Sequence, residues 1–245
     1  MNFEEFSKHF RYWEIVSEYH NDVVVHKKEL SGLKESYDMG LSVHAPFSDI
    51  NAASLNKDVR EFSQKKVMDT IKACSELGIG VVTVHPGFYS PLSRFGPKEI
   101  PLLNKDLAKK LDKAAVEHGI NVGLENMPYD GTLDCATLAQ MQSVLEGTGL
   151  AITLDIGHAH QQGVLEEFLA LRGRIVNIHI HDNMGKKDEH LVLGTGNCDF
   201  EGYLKQLFPI PNRSYSGGIV IECNNLPEGI RSKGYLEALA ERLGL

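Results

Sequence analysis

Val82-Thr83-Val84-His85 alternates branched aliphatic side chains with a small hydroxyl and closes on an imidazole. That period of two fits a strand with an apolar outer face and a narrow polar inner face. Reading outward, the pattern recurs in Leu41-Ser42-Val43-His44, Val122-Gly123-Leu124-Glu125 and Ile152-Thr153-Leu154-Asp155, then in Val176-Asn177-Ile178-His179 and Ile219-Val220-Ile221-Glu222. Six strands thus end on His, Asp or Glu, at spacings of 24 to 43 residues. These bracket the roughly 31 expected when about 250 residues are shared among eight strand-helix units. One polar residue per unit converging on one axis indicates an α/β TIM barrel of (β/α)8 type, with its site at the carboxyl ends of the strands. A doubly wound open sheet would gather its site at one switch point.

Seven strands are predicted in all, over residues 12–17, 40–45, 79–86, 120–126, 150–156, 175–182 and 218–223. Helices are predicted near 55–76, 105–118, 133–146, 164–171, 200–207 and 229–243, and Gly78, Gly119 and Gly147 follow three of them as left-handed caps. Residues 2–10 read as an opening helix, so the barrel is expected to lack its usual first β-strand. No low-complexity segment or Ser/Pro-rich linker divides residues 1–245, and one domain is the simpler organisation.

With 42% hydrophobic and 24% charged residues, the 245-residue chain can bury a large core. Its formal net charge of −8 offers no general positive field for a polyanion, so duplex DNA is a partner that charge does not support. Cys74, Cys135, Cys198 and Cys223 form no C-x-x-C pair and read as reduced thiols. The acidic start Met1-Asn2-Phe3-Glu4-Glu5 is unlike a signal peptide, and no apolar run approaches a membrane span. A soluble, cytoplasmic protein is expected, of undetermined oligomeric state.

Singly, a His or Glu at a strand end is usually a satisfied structural residue. Gathering His44, His85, Glu125, Asp155, His179 and Glu222 at one mouth is costly unless something offsets the repulsion of the carboxylates. A divalent cation does so and takes neutral imidazoles as ligands. Asp155-Ile156-Gly157-His158 adds a second donor one turn beyond its strand, and Asp188-Glu189-His190 adds an i, i+2 pair in the loop after His179.

These segments carry a family resemblance. Val43-His44-Ala45-Pro46-Phe47, Val84-His85-Pro86-Gly87, Gly123-Leu124-Glu125-Asn126, Leu154-Asp155-Ile156-Gly157-His158, His179-Ile180-His181-Asp182, Asp188-Glu189-His190 with Leu193-Gly194-Thr195-Gly196, and Ile221-Glu222 occur in that order. From about residue 12 to the C-terminus, the sequence resembles the apurinic/apyrimidinic endonuclease family 2 and xylose isomerase-like barrel superfamily. Its endonuclease IV-like members hold three zinc ions. The resemblance implies His44, His85 and Glu125 on one; Glu125, Asp155, His179 and Glu222 on a second; His158, Asp188 and His190 on a third. Isomerases and epimerases of the superfamily generally need only the central set.

His179 is preferred over His181 as the strand ligand because it keeps the family's H-x-x-D spacing with Asp182, which could orient its ring. His181 is then expected beside the substrate. Ser17-Glu18-Tyr19-His20-Asn21-Asp22 is acidic where endonuclease IV enters the duplex with basic and aromatic residues. Glu14, inward by parity, suits either a sugar-binding role or a barrel-floor acid. The glycines of 194–196 could form an anion nest, although an ordinary loop is the simpler reading.

Two chemistries compete. In phosphoester hydrolysis at three zinc ions, Glu125 or Glu222 assists as base or bridge. In isomerisation or epimerisation of a small sugar or sugar phosphate, Glu125 and Glu222 exchange a proton beside a carbonyl polarised by one Mn2+ or Mg2+. Hydrolysis is favoured here, because sugar chemistry gives no reason for His158, Asp188 and His190 together. A barrel that binds metal without catalysis is the third alternative.

Overall fold

The computed structural model describes residues 3–208 and 217–244. Seven parallel strands, β1 (Tyr12–Val16), β2 (Gly40–His44), β3 (Val81–Val84), β4 (Asn121–Glu125), β5 (Ala151–Asp155), β6 (Ile175–Ile180) and β7 (Gly218–Ile221), lie side by side in chain order. The connecting helices are α1 (Phe3–Ser7), α2 (Lys27–Tyr37), α3 (Lys57–Glu76), α4 (Glu99–His118), α5 (Leu138–Leu145), α6 (Ile156–Gln162), α7 (Leu165–Phe168), α8 (Phe200–Leu207) and α9 (Leu226–Leu243). Strand order following chain order, with helices between, is the arrangement of a TIM-like barrel.

All seven expected strands form, each shorter at its ends than the pattern suggested. The expected opening helix shrinks to α1, and residue 2 lies outside the described residues. Two helices were not foreseen. α2 starts without a side-chain cap and ends on Asp38 at φ 39°, and it is anchored by buried Leu30. α6 begins directly after β5, with Asp155 as its N-cap accepting from the His158 amide. α4 starts six residues earlier than expected and tolerates Pro101 in its first turn, where the proline lacks no needed N–H.

The aliphatic positions of the alternating segments, among them Val82, Val84, Val122, Leu124, Ile152, Leu154, Ile178 and Ile180, are buried against the helices in one continuous core. Among the described residues no hydrogen-bonded register joins β7 to β1, so the barrel is nearly closed rather than closed. The Tyr12 ring fills the seam between them: a Cβ on Gly218 would lie 2.4 Å from Tyr12 Cε1. Outside it, Phe6 of α1 stacks on Trp13 with centroids 4.3 Å apart. No described helix is long and apolar enough to cross a membrane.

Candidate metal centre

The inner faces of the strands form two layers. The lower is a polar floor in which Glu14 Oε2 accepts from Ser42 Oγ at 2.6 Å and Asn177 Nδ2 at 2.7 Å. Asn177 Nδ2 also lies 3.1 Å from Thr83 Oγ1, which meets Thr153 Oγ1 at 2.9 Å. Two residues further along, the upper layer carries His44, Glu125, Asp155 and His179 on their strands, with His85 directly after β3 and Glu222 directly after β7. The Glu222 amide donates to the Ile180 carbonyl at 3.0 Å, which continues the β6–β7 ladder to the site.

All nine ligand-type residues expected from the sequence converge, in three groups whose donor atoms lie within 4.8 Å of one another. The first is His44, His85 and Glu125; the second, Glu125, Asp155, His179 and Glu222; the third, His158, Asp188 and His190, joined by His181. Glu125 is shared: its Oε2 lies 3.2 Å from His44 Nε2 and 3.1 Å from His85 Nε2, and its Oε1 lies 3.4 Å from His179 Nδ1. Glu222 Oε1 approaches the same His179 Nδ1 at 2.9 Å.

Backbone carbonyls fix the tautomers. His44 Nδ1 faces the Ala45 carbonyl at 2.8 Å and His158 Nδ1 faces the Asn126 carbonyl at 2.9 Å. A carbonyl accepts only from N–H, so each Nδ1 carries the hydrogen and each neutral ring turns the Nε2 lone pair toward the carboxylates. Asn126 also grips the Asp155 backbone through both its amide atoms, at 2.8 and 2.9 Å. His179 is held the other way round. Its Nε2 lies 2.8 Å from Glu14 Oε1, leaving Nδ1 toward Glu125 and Glu222.

Among the described residues, Asp155 Oδ2, His179 Nδ1 and His181 Nε2 are buried without a hydrogen-bond partner. Lone pairs of imidazole and carboxylate aimed at common points require either protons or cations between them. With protons alone, burial disfavours the His158 imidazolium, but Asp155, Asp188 and Glu125 outweigh it and hold its pKa at about 10. His181 is likewise held at about 9, burial being overcome chiefly by Asp155. Burial would raise the Glu125 carboxyl, yet His179 and His85 hold it well below the usual range. The donor chemistry, imidazole lone pairs with bare carboxylates around common centres, fits divalent cations.

Asp182 does not meet His179. Its carboxylate accepts from the amides of Asn183, Gly194, Gly196 and Cys198 at 2.8 to 3.2 Å. The 194–196 turn is therefore an anion nest occupied by the protein's own carboxylate. Paired backbone bonds between Asp182 and Leu191 fold the intervening loop back and bring Asp188 and His190 over the mouth. Sequence reasoning missed the contact between His181 and His190, whose rings stack at 4.1 Å, because its two residues meet only after that fold-back.

The mouth opens into a cavity of about 800 Å³ that runs from Glu125 and Glu222 along Phe47 and Ile221 to Phe10 and Leu226 at the β7–β1 seam. No lysine or arginine is among the described residues that line it. Glu18, in the acidic loop after β1, is turned inward to accept from the Phe47 and Ser48 amides at 2.6 Å.

The family model for xylose isomerase-like TIM barrels matches residues 4–241. An uncharacterized protein of Methanocaldococcus jannaschii is 36% identical over 253 residues, 98% of this chain and 85% of that protein. The crystal structure of a D-tagatose 3-epimerase-like protein superposes with a TM-score of 0.90 at 34% identity, covering 98% of this chain and 92% of that one. A probable endonuclease 4 of Mycobacterium leprae is 31% identical over 171 residues, 65% of this chain and 65% of its own length.

Proposed function

The chain belongs to the xylose isomerase-like TIM barrel family, and from that premise we propose that it is a divalent-metal-dependent isomerase or epimerase of an uncharged sugar or sugar derivative. The observation that carries this reading is a carboxylate pair, Glu125 and Glu222, at the head of a cavity whose described lining has no lysine or arginine to hold a phosphate. The likeness to a D-tagatose 3-epimerase-like protein supports it.

Glu125, Asp155, His179 and Glu222 would hold the catalytic cation, which when bound supplies the Lewis acidity that polarises a carbonyl. Glu125 and Glu222 approach His179 Nδ1 from β4 and from the end of β7, so a substrate carbon seated between them would meet a carboxyl group from each of these two strands. One, ionised, would take the proton from the carbon beside the carbonyl, and the other, carrying a proton beforehand, would give it to the opposite face, inverting that centre and leaving the pair with its protonation states exchanged. Glu14 is a positioning residue: it holds His179 from behind and keeps Nδ1 toward the cation. The apolar length of the cavity would exclude water from the exchanging proton.

Phosphoester hydrolysis is the second reading, favoured by the convergence of all nine residues expected of a three-zinc site. The two separate in one experiment. The protein is incubated in D2O with Mn2+, Mg2+ or Zn2+ and a panel of uncharged ketoses, and proton NMR follows the carbon beside the carbonyl. Deuterium incorporation with interconversion of epimers is expected, and Glu222→Gln should slow it about 10²- to 10⁴-fold. No exchange with any ketose, together with cleavage of an abasic duplex or a phosphodiester, would overturn the proposal in favour of hydrolysis.

A further inference from the structure

The third donor group contains one imidazole more than the sequence assigned to it. His181 is wholly buried, its Nε2 lies 3.2 Å from Asp188 Oδ1, and that nitrogen has no hydrogen-bond partner among the described residues. Its Nδ1 faces the Asp182 carbonyl at 3.4 Å, so Nε2 is the free lone pair of the neutral ring. Asp188 is also approached by His158 Nε2 at 3.4 Å and by His190 Nε2 at 3.1 Å. Three imidazoles thus surround one carboxylate.

The position of the His181 ring depends on residue 157. A Cβ there would lie 2.2 Å from His181 Cε1 and Nε2, so only glycine leaves this space. Gly157 and His181 are therefore one device, contributed by the first turn of α6 and the segment just after β6. Donor composition then separates the three groups. The set built on Glu125, Asp155, His179 and Glu222 is rich in carboxylates and suits a hard ion of six positions, two of them left for substrate oxygens. The set of His44, His85 and Glu125 has three donors and leaves a tetrahedral position open. Only the third offers four donors of which three are nitrogen; four protein donors fill a tetrahedral zinc ion, and imidazole and carboxylate are both zinc ligands.

We infer that His158, His181, Asp188 and His190 form a closed, structural zinc site that ties α6, the end of β6 and the 182–198 loop together. The His181 and His190 rings stack within 5° of parallel, and two parallel imidazoles cannot both aim in-plane lone pairs at one ion. Coordination of one ion by both therefore requires one ring to turn from the stacked arrangement, and His190 is the one with room to do so, since it sits on the loop and its side chain is 32% exposed. The site gives the third group a purpose that sugar chemistry does not, and it leaves no open position there for a hydrolytic water. It stands independently of the substrate assigned above.

The test is zinc content after dialysis against a mild chelator, with zinc-edge X-ray absorption on the wild-type chain. About one zinc per chain should resist dialysis, with four N/O neighbours near 2.0–2.1 Å, three of them imidazole. His181→Asn should lose that ion and Glu222→Gln should keep it. Retention of the ion at full stoichiometry by His181→Asn, its loss in Glu222→Gln instead, or no retained ion in the wild type would each overturn the inference. Should His181→Asn fail to fold, the wild-type spectrum decides: two imidazoles with a solvent oxygen contradict a closed site. Absence of sugar turnover would leave these readouts unchanged.

Discussion

Glu14 is the residue whose role depends most on its three-dimensional setting. Parity pointed it inward, but no window of sequence shows that Glu14 Oε1 and His179 Nε2 meet at 2.8 Å. The expected partner of His179, Asp182, is only three residues from it and is spent instead on four loop amides. An acid behind a ligating imidazole fixes its tautomer and raises its basicity. Glu14→Gln should therefore weaken divalent-metal binding about 10- to 100-fold in a chelator-competition titration. Unchanged affinity would mean that the floor network, and not the acid, holds the ring. His44, His85, Glu125, Asp155, His179 and Glu222 were legible because each closes a segment whose alternation is visible locally, whereas His158, Asp188 and His190 lie beyond the strands and were read from their short motifs. The His181–Gly157 contact was not, although a glycine directly before His158 was its one visible trace.

The strands could be read from the sequence because alternation of aliphatic and small polar residues is a local signal, and the structure trimmed only their ends. The helices were less legible. α6 contains Gly157, His158 and His160, all weak helix formers, and it is set by the Asp155 cap and by burial of Ile156 and Ala159. The loop between β6 and α8 owes its shape to Asp182, which has no counterpart in a pattern-based reading. Asp182→Ala would strip four amides of their acceptor. Hydrogen exchange at Gly194, Gly196 and Cys198 should then accelerate by at least about tenfold, the factor that 1.4 kcal/mol of lost protection produces. Metal affinity at Asp188 and His190 should fall with it. Protection equal to the wild type would show that the Asp182–Leu191 pairing suffices to order the loop.

At the scale of the molecule, the seven-stranded count was visible in the sequence, but what fills the seam was not: the Tyr12 ring beside Gly218 has no local signature. The concentrated charge of the mouth makes stability depend on what occupies it. In the metal-free chain His158 and His181 keep their protons to about pH 10 and 9, against about 6.5 when unfolded. That contribution is complete below about pH 6.5 and is lost as pH rises through those folded values. Asp155, where His158 and His181 outweigh burial and hold the carboxyl at about 2, contributes above about pH 3.9 and loses its contribution as pH falls toward 2. The metal-free protein is thus expected to melt highest between about pH 4 and 6.5, with Tm falling toward pH 10. The zinc-loaded protein, whose ligands must shed the same protons, should gain stability from metal over that upper range. Parallel Tm profiles with and without zinc would count against coordination by these rings. The most direct test is an anomalous difference map from crystals grown with Zn2+ or Mn2+. Peaks are expected within the Glu125–Asp155–His179–Glu222 set and within the His158–His181–Asp188–His190 set. A map without a peak at either, with the carboxylates paired only to protonated imidazoles, would contradict the account.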